Sequence, residues 1–348
     1  MVYRKRSEKI VRKGFIIISS YKIGIFADSL STSGLGHIER CKAIRYHLSY
    51  KVLWIVSEKF TDLENSFKKD SCLYYKEIPN RIDDWKNIIN RHEINFLLID
   101  SYYLSNYLLN KLKNFIPIIF IADKKPYPNV NKVIVPHQVN SIEKNISYGL
   151  KYSVISPKYL LTKNDNIIKN KIDNKTNILV SFGALDNINI TGKLLSEIIL
   201  QKLLFIKNFK FTVVLGRNSP NILSIKRQIS DINFINLKIQ PEDFKTIMLQ
   251  NDFAIGAPGI SQIERMYLGL PSILIAQNNI QKPIINNLKK NKLSININGN
   301  IKNVVKNLIS VNKDELNYIK NNCLKIIDGK GSIRIADIIN KCVKKYEN

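Results

Sequence analysis

The sequence predicts an α/β protein built from two doubly wound parallel sheets. Strand-length apolar runs alternate with segments of helical period, which is the pattern of parallel α/β units. A polar stretch then interrupts the alternation, and the alternation starts again after it. With 348 residues, 45% of them hydrophobic, the chain has the material for two buried cores.

In the first half, strands are expected at Lys22–Asp28, Val52–Val56, Asn95–Asp100, Ile118–Asp123 and Lys132–Val135. Helical stretches lie between them; in Ile38–Leu48, the residues Ile38, Cys41, Ile44 and Leu48 share one face. The run TKNDNIIKNKIDNKT reads as a linker. Beyond it strands are expected at Asn177–Phe182, Phe211–Gly216, Phe253–Ala257 and Ser272–Ala276. The expected division is an extension (1–20), a Rossmann-like domain (21–161), a linker (162–176), a second Rossmann-like domain (177–330) and a terminal helix (331–348) expected to cross back to the first domain. Two such sheets would face a cleft. Ligands of doubly wound sheets bind at the carboxyl ends of the strands, so the loops that follow the strands hold the candidates.

Composition narrows the function classes. No run of about 20 apolar residues is present, so no transmembrane helix is expected. The opening segment is basic and then apolar, but its apolar run, Phe15 to Ile18, is too short for a secretory leader, and a cytoplasmic monomer is expected. Cys41, Cys72, Cys323 and Cys342 are far apart with no CxxC pair, which points to reduced, mostly buried thiols and away from a zinc ribbon. The net charge of +26 comes from lysines scattered among many Ile and Asn residues, with no aromatic RNA-binding motif and no Arg cluster. It reads as a general attraction for anions rather than for a specific nucleic acid. A non-catalytic basic binder of RNA or an anionic surface stands as the alternative of another class.

The segment IGIFADSLSTSGLGHIERCKAI runs from a buried strand through a polar loop into an amphipathic helix. Gly34 and Gly36 let the loop turn sharply and bring backbone N–H groups close to a ligand. His37 then falls in the first helical turn, where the helix dipole disfavours an imidazolium; a neutral ring that accepts a proton is expected there. On the residues alone, His37 is either that base or a helix cap. ADSLSTSGLGHIERC resembles the N-terminal motif of the UDP-sugar hydrolase family of the pseudaminic acid pathway (PseG), within the MurG-like GT-B enzymes. The resemblance implies a GT-B architecture and makes His37 the general base for water. Asp28 and Arg40 fill the family's other polar positions, and Arg40 reads equally as a solvated helix charge.

The resemblance extends along the chain. LLIDSYYLS is similar to the family's segment whose Asp and Tyr, here Asp100 and Tyr102, line the sugar side; the residues alone also allow a turn Asp and a packing Tyr. Asp123, at the next strand end, is placed near the site. YGLKYSVISPKYL resembles another family segment, with Ser156 and Lys158 in place of Arg and Glu. VSFGALDNINIT resembles the family's diphosphate loop, retaining Gly183 and Asp186 but with Ala184 and Leu185 at the positions of a Gly and a Thr. Asp186 also reads as a helix cap. GAPGISQIERMYLGLP resembles the family's nucleotide segment. There Gly259 and Ser261 would receive a phosphate at a helix start, Glu264 would accept from the ribose diol, and Arg265 reads as a structural ion pair. Asn278 fills the place of an Asn that contacts the sugar end, and DGKGSIRIADII resembles the segment before the last helix.

What the resemblance implies is a UDP-sugar substrate, UDP-2,4-diacetamido-2,4,6-trideoxy-β-L-altropyranose, hydrolysed with inversion to UDP and the free sugar. No DxD motif stands beside the expected diphosphate loops, so no metal and no cofactor are expected. The alternative enzyme is a GT-B glycosyltransferase with an alcohol as acceptor.

Overall fold

The computed structural model describes residues 21–28, 36–57, 61–123, 125–136, 144–160, 175–297 and 300–347. The extension 1–20, Gly34 and most of the expected linker lie outside the described residues. The chain divides into two compact units: one runs up to Pro157 and resumes at Gly329, and the other is Lys158–Asp328.

The first unit holds β1 (Lys22–Ala27), β2 (Lys51–Val56), β3 (Ser71–Tyr74), β4 (Phe96–Asp100), β5 (Ile118–Ile121), β6 (Lys132–Val135) and β7 (Ile146–Tyr148). They form a seven-stranded sheet in the order β3-β2-β1-β4-β5-β6-β7, parallel throughout. Both faces are covered, which is why its central strands are apolar without alternation. Ile23, Ile25 and Ala27 pack on one face with Ile38, Cys41 and Ile44 of the Gly36–Arg45 helix. Phe26, Leu97 and Ile99 pack on the other face with Trp85. The terminal helix Gly331–Glu347 adds Ile335, Ala336, Ile339 and Val343 to the first cluster, a spacing that puts all four on one side of a helix.

The second unit holds β8 (Thr176–Ser181), β9 (Phe209–Leu215), β10 (Ile235–Ile239), β11 (Phe253–Gly256) and β12 (Ser272–Leu274). Their order is β10-β9-β8-β11-β12, again parallel. β3, β7 and β10 have no counterpart among the expected strands, and all three are sheet edges. Half-exposed edge strands carry mixed residues such as INLKI in place of an apolar run.

Each sheet reverses its winding at one place. In the first unit the reversal lies between β1 and β4, which pair in register from Ile23–Phe96 to Ala27–Asp100. In the second it lies between β8 and β11. Such a switch point opens a crevice outside the carboxyl ends of the two strands.

Candidate functional site

At the switch point of the first unit, Asp28 follows β1, Asp100 ends β4, Asp123 lies two residues beyond β5, and the Gly36–Arg45 helix brings His37 and Arg40 to the same edge. Positions 37 and 40 are three apart on a helix and therefore face the same way. The structure gathers the side chains of His37, Arg40, Asp100, Tyr102 and Asp123 into one hydrogen-bonded cluster. His37 Nδ1 lies 2.6 Å from Asp100 Oδ1. Arg40 donates to Asp100 through Nε (2.7 Å) and Nη2 (2.6 Å), and to Asp123 through Nη1 (2.9 Å) and Nη2 (3.1 Å). The Tyr102 hydroxyl donates to Asp123 Oδ2 at 2.7 Å, and its ring meets the His37 ring edge-on at 4.6 Å. Asp28 accepts the Tyr102 backbone N–H at 2.6 Å and donates its own N–H to the Asp100 carbonyl at 3.0 Å. It fixes the backbone of the cluster, and Gly36 opens the helix beside it.

The electrostatics follow from this packing. Burial opposes ionisation of Asp100, but Arg40 and His37 outweigh it and hold the carboxyl below its ordinary value. Asp123 is held well below its ordinary value in the same way, by Arg40 and by the Arg40 and Tyr102 hydrogen bonds, against burial. Burial pushes the Tyr102 phenol up, and Asp123 adds to the rise, so the phenol keeps its proton at neutral pH. Burial also raises Asp28, against the hydrogen bonds of Ser101 and Tyr102.

The His37 pKa shifts in the direction opposite to the one the helix start alone implies. Burial favours the neutral ring, but the Asp100 carboxylate outweighs burial and raises the His37 pKa. A helix terminus contributes about 0.3–1 kcal/mol, less than a buried carboxylate in direct contact. Because Asp100 is a charged acceptor, Nδ1 carries the proton in the neutral ring, whose Nε2 then holds the lone pair. Arg40 is no solvated charge: it is buried, and it clamps both carboxylates. Its three-residue spacing from His37 was the signal in the sequence that could have placed it in the cluster.

The second unit presents two loops at its switch point. After β8, Gly183 is exposed at φ +89°, a conformation that favours glycine. Asp186 is buried and accepts the N–H groups of Ile190 (3.0 Å) and Thr191 (2.8 Å), while Asn189 accepts that of Gly192 (3.0 Å). The first turn of the Ile190–Leu200 helix is thus occupied by its own caps, and of the two readings of Asp186 the capping one describes the structure.

After β11 the Ile260–Tyr267 helix begins at Gly259 with no side-chain cap. The N–H groups of Ile260 and Ser261 donate to no protein acceptor among the described residues. Nothing lies within 4 Å of where a Gly259 side chain would begin, so the turn is open to an incoming group. Glu264 is buried one turn on. Asn278 is exposed and accepts the Gln281 N–H at 3.1 Å, at the start of the Gln281–Lys290 helix. Arg265 has no carboxylate within ion-pair distance among the described residues, which corrects its reading as an ion pair. Among the described residues no group of three or more His, Cys, Asp or Glu could hold a metal, and no helix is long and apolar enough to cross a membrane. All four cysteines are free.

No family model matches the chain. It is 25% identical over 286 residues to the uncharacterized protein MJ1062 of Methanocaldococcus jannaschii, covering 75% of this chain but only 57% of that protein's length. It is 26% identical over 273 residues to the spore coat polysaccharide biosynthesis protein SpsG of Bacillus subtilis, covering 73% of this chain and 77% of SpsG. Among solved structures, the S. aureus MnaA–UDP co-structure superposes with a TM-score of 0.64 at 14% identity, covering 93% of this chain and 97% of that one. A glycosyltransferase from Rickettsia africae gives 0.62 at 15% identity, covering 93% and 99%. These likenesses, with two parallel doubly wound α/β units, define the fold as GT-B.

Proposed function

We propose that the protein is an enzyme of glycan biosynthesis that acts on a UDP-sugar, and that it hydrolyses the bond between UDP and the anomeric carbon. The observation that carries this reading is the His37–Asp100 contact of 2.6 Å at a switch point, which leaves Nε2 as an oriented base. The SpsG likeness, the MnaA–UDP likeness and the GLGHIERC and ERMYLGLP motifs support it.

In this reading Nε2 takes a proton from water as the water oxygen bonds to C1. The C1–O bond breaks, its electron pair stays on the β-phosphate oxygen, and the configuration at C1 inverts. Asp100 holds the ring tautomer and balances the imidazolium that forms. Tyr102 presents a half-exposed ring face to a sugar. In the second unit, the uncapped helix start at Gly259–Ser261 would take a phosphate, Glu264 the ribose diol, the Gly183 loop the diphosphate, and Asn278 the sugar end of the donor. The substrate proposed is UDP-2,4-diacetamido-2,4,6-trideoxy-β-L-altropyranose.

The fold likeness to a glycosyltransferase favours one second reading, in which the same base deprotonates an alcohol. Incubating this donor in heavy-oxygen water without an acceptor separates the two. Hydrolysis puts the label on C1 of the released sugar; UDP binding without release, restored by an alcohol, identifies the transferase.

A further inference from the structure

Arg265 is a cation with no visible reason to be buried. It is 0% exposed. From the sixth position of its helix it runs back under the first turn. Nε donates to Gln262 Oε1 (3.1 Å) and Ser272 Oγ (3.0 Å), and Nη2 donates to Gln262 Oε1 (2.8 Å) and the Ala257 carbonyl (3.0 Å). Nη1 has no hydrogen-bond partner among the described residues. Every acceptor is neutral. Burial therefore pulls the guanidinium down to about 10, opposed only by the charge of the adjacent Glu264. A buried cation whose contacting acceptors are all neutral is costly, and a neutral side chain of similar volume would avoid the cost.

The chain makes room for this cation. A side chain on Gly256, the last residue of β11, would start 3.0 Å from Nη1 and 3.1 Å from Nη2 and would collide with the Ser181 carbonyl of β8. Gly256 thus lets the guanidinium lie against the end of β11, where it reaches the Ala257 carbonyl. The Ala257–Gly259 turn leads directly into the helix start whose Ile260 and Ser261 N–H groups have no protein acceptor among the described residues.

We propose that Arg265 is a positioning residue for phosphate: its unneutralised guanidinium holds the Ala257 carbonyl end of the turn and supplies the positive charge that a phosphate at the Gly259–Ser261 helix start completes. The anion adds the counter-charge that Glu264 alone does not supply in contact. This rests on the nucleotide reading above and adds to it a cation that does not touch the ligand.

Calorimetric titration of UDP, inorganic pyrophosphate and uridine tests it with Arg265→Met and Arg265→Lys. Arg265→Met should weaken UDP and pyrophosphate by about 10- to 100-fold, as loss of a unit charge within about 8 Å does at an effective dielectric of about 20. Uridine, which has no phosphate, should stay within about threefold of wild type under the same argument. Arg265→Lys should bind UDP at neutral pH. It should then lose that affinity between about pH 6 and about pH 10 as the buried ammonium deprotonates, with uridine unchanged. Equal weakening of UDP and uridine by Arg265→Met, or no weakening, overturns the proposal. If Arg265→Met does not fold, a UDP affinity of Arg265→Lys that matches wild type across that range overturns it. Wild type that binds neither UDP nor pyrophosphate removes the nucleotide reading and this proposal together; wild type that binds both, with variants that keep the UDP-to-uridine ratio, removes this proposal alone.

Discussion

Asp100→Asn keeps the shape of the side chain and removes one charge and one acceptor. Asp100 Oδ1 accepts from His37 Nδ1 and Arg40 Nη2, both at 2.6 Å, and Oδ2 accepts from Arg40 Nε at 2.7 Å. Asparagine has one acceptor oxygen and one NH₂ group, so in either orientation the NH₂ faces an Arg40 donor. If the NH₂ takes the Oδ1 place it also faces His37, and the ring proton must move to Nε2, which removes the lone pair that activates water. Breaking a buried pair costs about 3–5 kcal/mol, and because Arg40 keeps Asp123 the lower end applies, about 3 kcal/mol. At about 2–4 °C per kcal/mol for a unit of this size, the unfolding midpoint should fall by roughly 6–12 °C. UDP release should fall by about 10²–10⁴-fold. His37 loses the partner that outweighs its burial, so the acidic limb of the remaining activity should move to lower pH. Initial rates of UDP release across pH, with thermal unfolding in parallel, measure all three. Release within a few-fold of wild type, with an unmoved limb, would refute the reasoning.

Other outcomes follow from the same contacts. Arg40→Gln removes the cation that opposes protonation of His37, so the acidic limb should move to higher pH; with Asp100 and Asp123 left unneutralised, urea denaturation should report a loss of about 3–5 kcal/mol. The depressed carboxyls of Asp100 and Asp123 contribute stability above the unfolded value of about 4, lost as pH falls through their folded values. The raised His37 contributes in the opposite sense: fully below the unfolded value of about 6.5, and lost as pH rises through its folded value. Denaturation midpoints measured across pH should therefore decline on both sides. Asp186→Ala uncovers two N–H groups of a helix start and should cost about 1–2 kcal/mol in denaturant, leaving the pH profile of UDP release unchanged.

The parts of the fold legible in the sequence were the buried ones. Central strands such as Lys22–Ala27 and Phe253–Gly256 are covered on both faces and stand out as apolar runs. The edges β3, β7 and β10 do not, because half of each strand meets solvent. The loops after the strands could be chosen for the same reason, since the switch points follow from strand order. Charge pairing was harder to read. Arg40 and Asp123 are 83 positions apart, and only the β1–β4–β5 arrangement brings them together. The upward direction of the His37 pKa shift was not legible, because the helix terminus is visible in sequence while the Asp100 contact is not. Arg265 was read as half of an ion pair, and the absence of a carboxylate in contact with it among the described residues is visible only in three dimensions.

The most direct test of the central claim is UDP release from the diacetamido-trideoxyhexose donor, without acceptor, by wild type and His37→Ala. The account predicts wild-type turnover and a loss of at least about 10²-fold in the variant, with UDP affinity retained. Turnover by His37→Ala at the wild-type rate would contradict it, because the account assigns removal of the water proton to His37 alone.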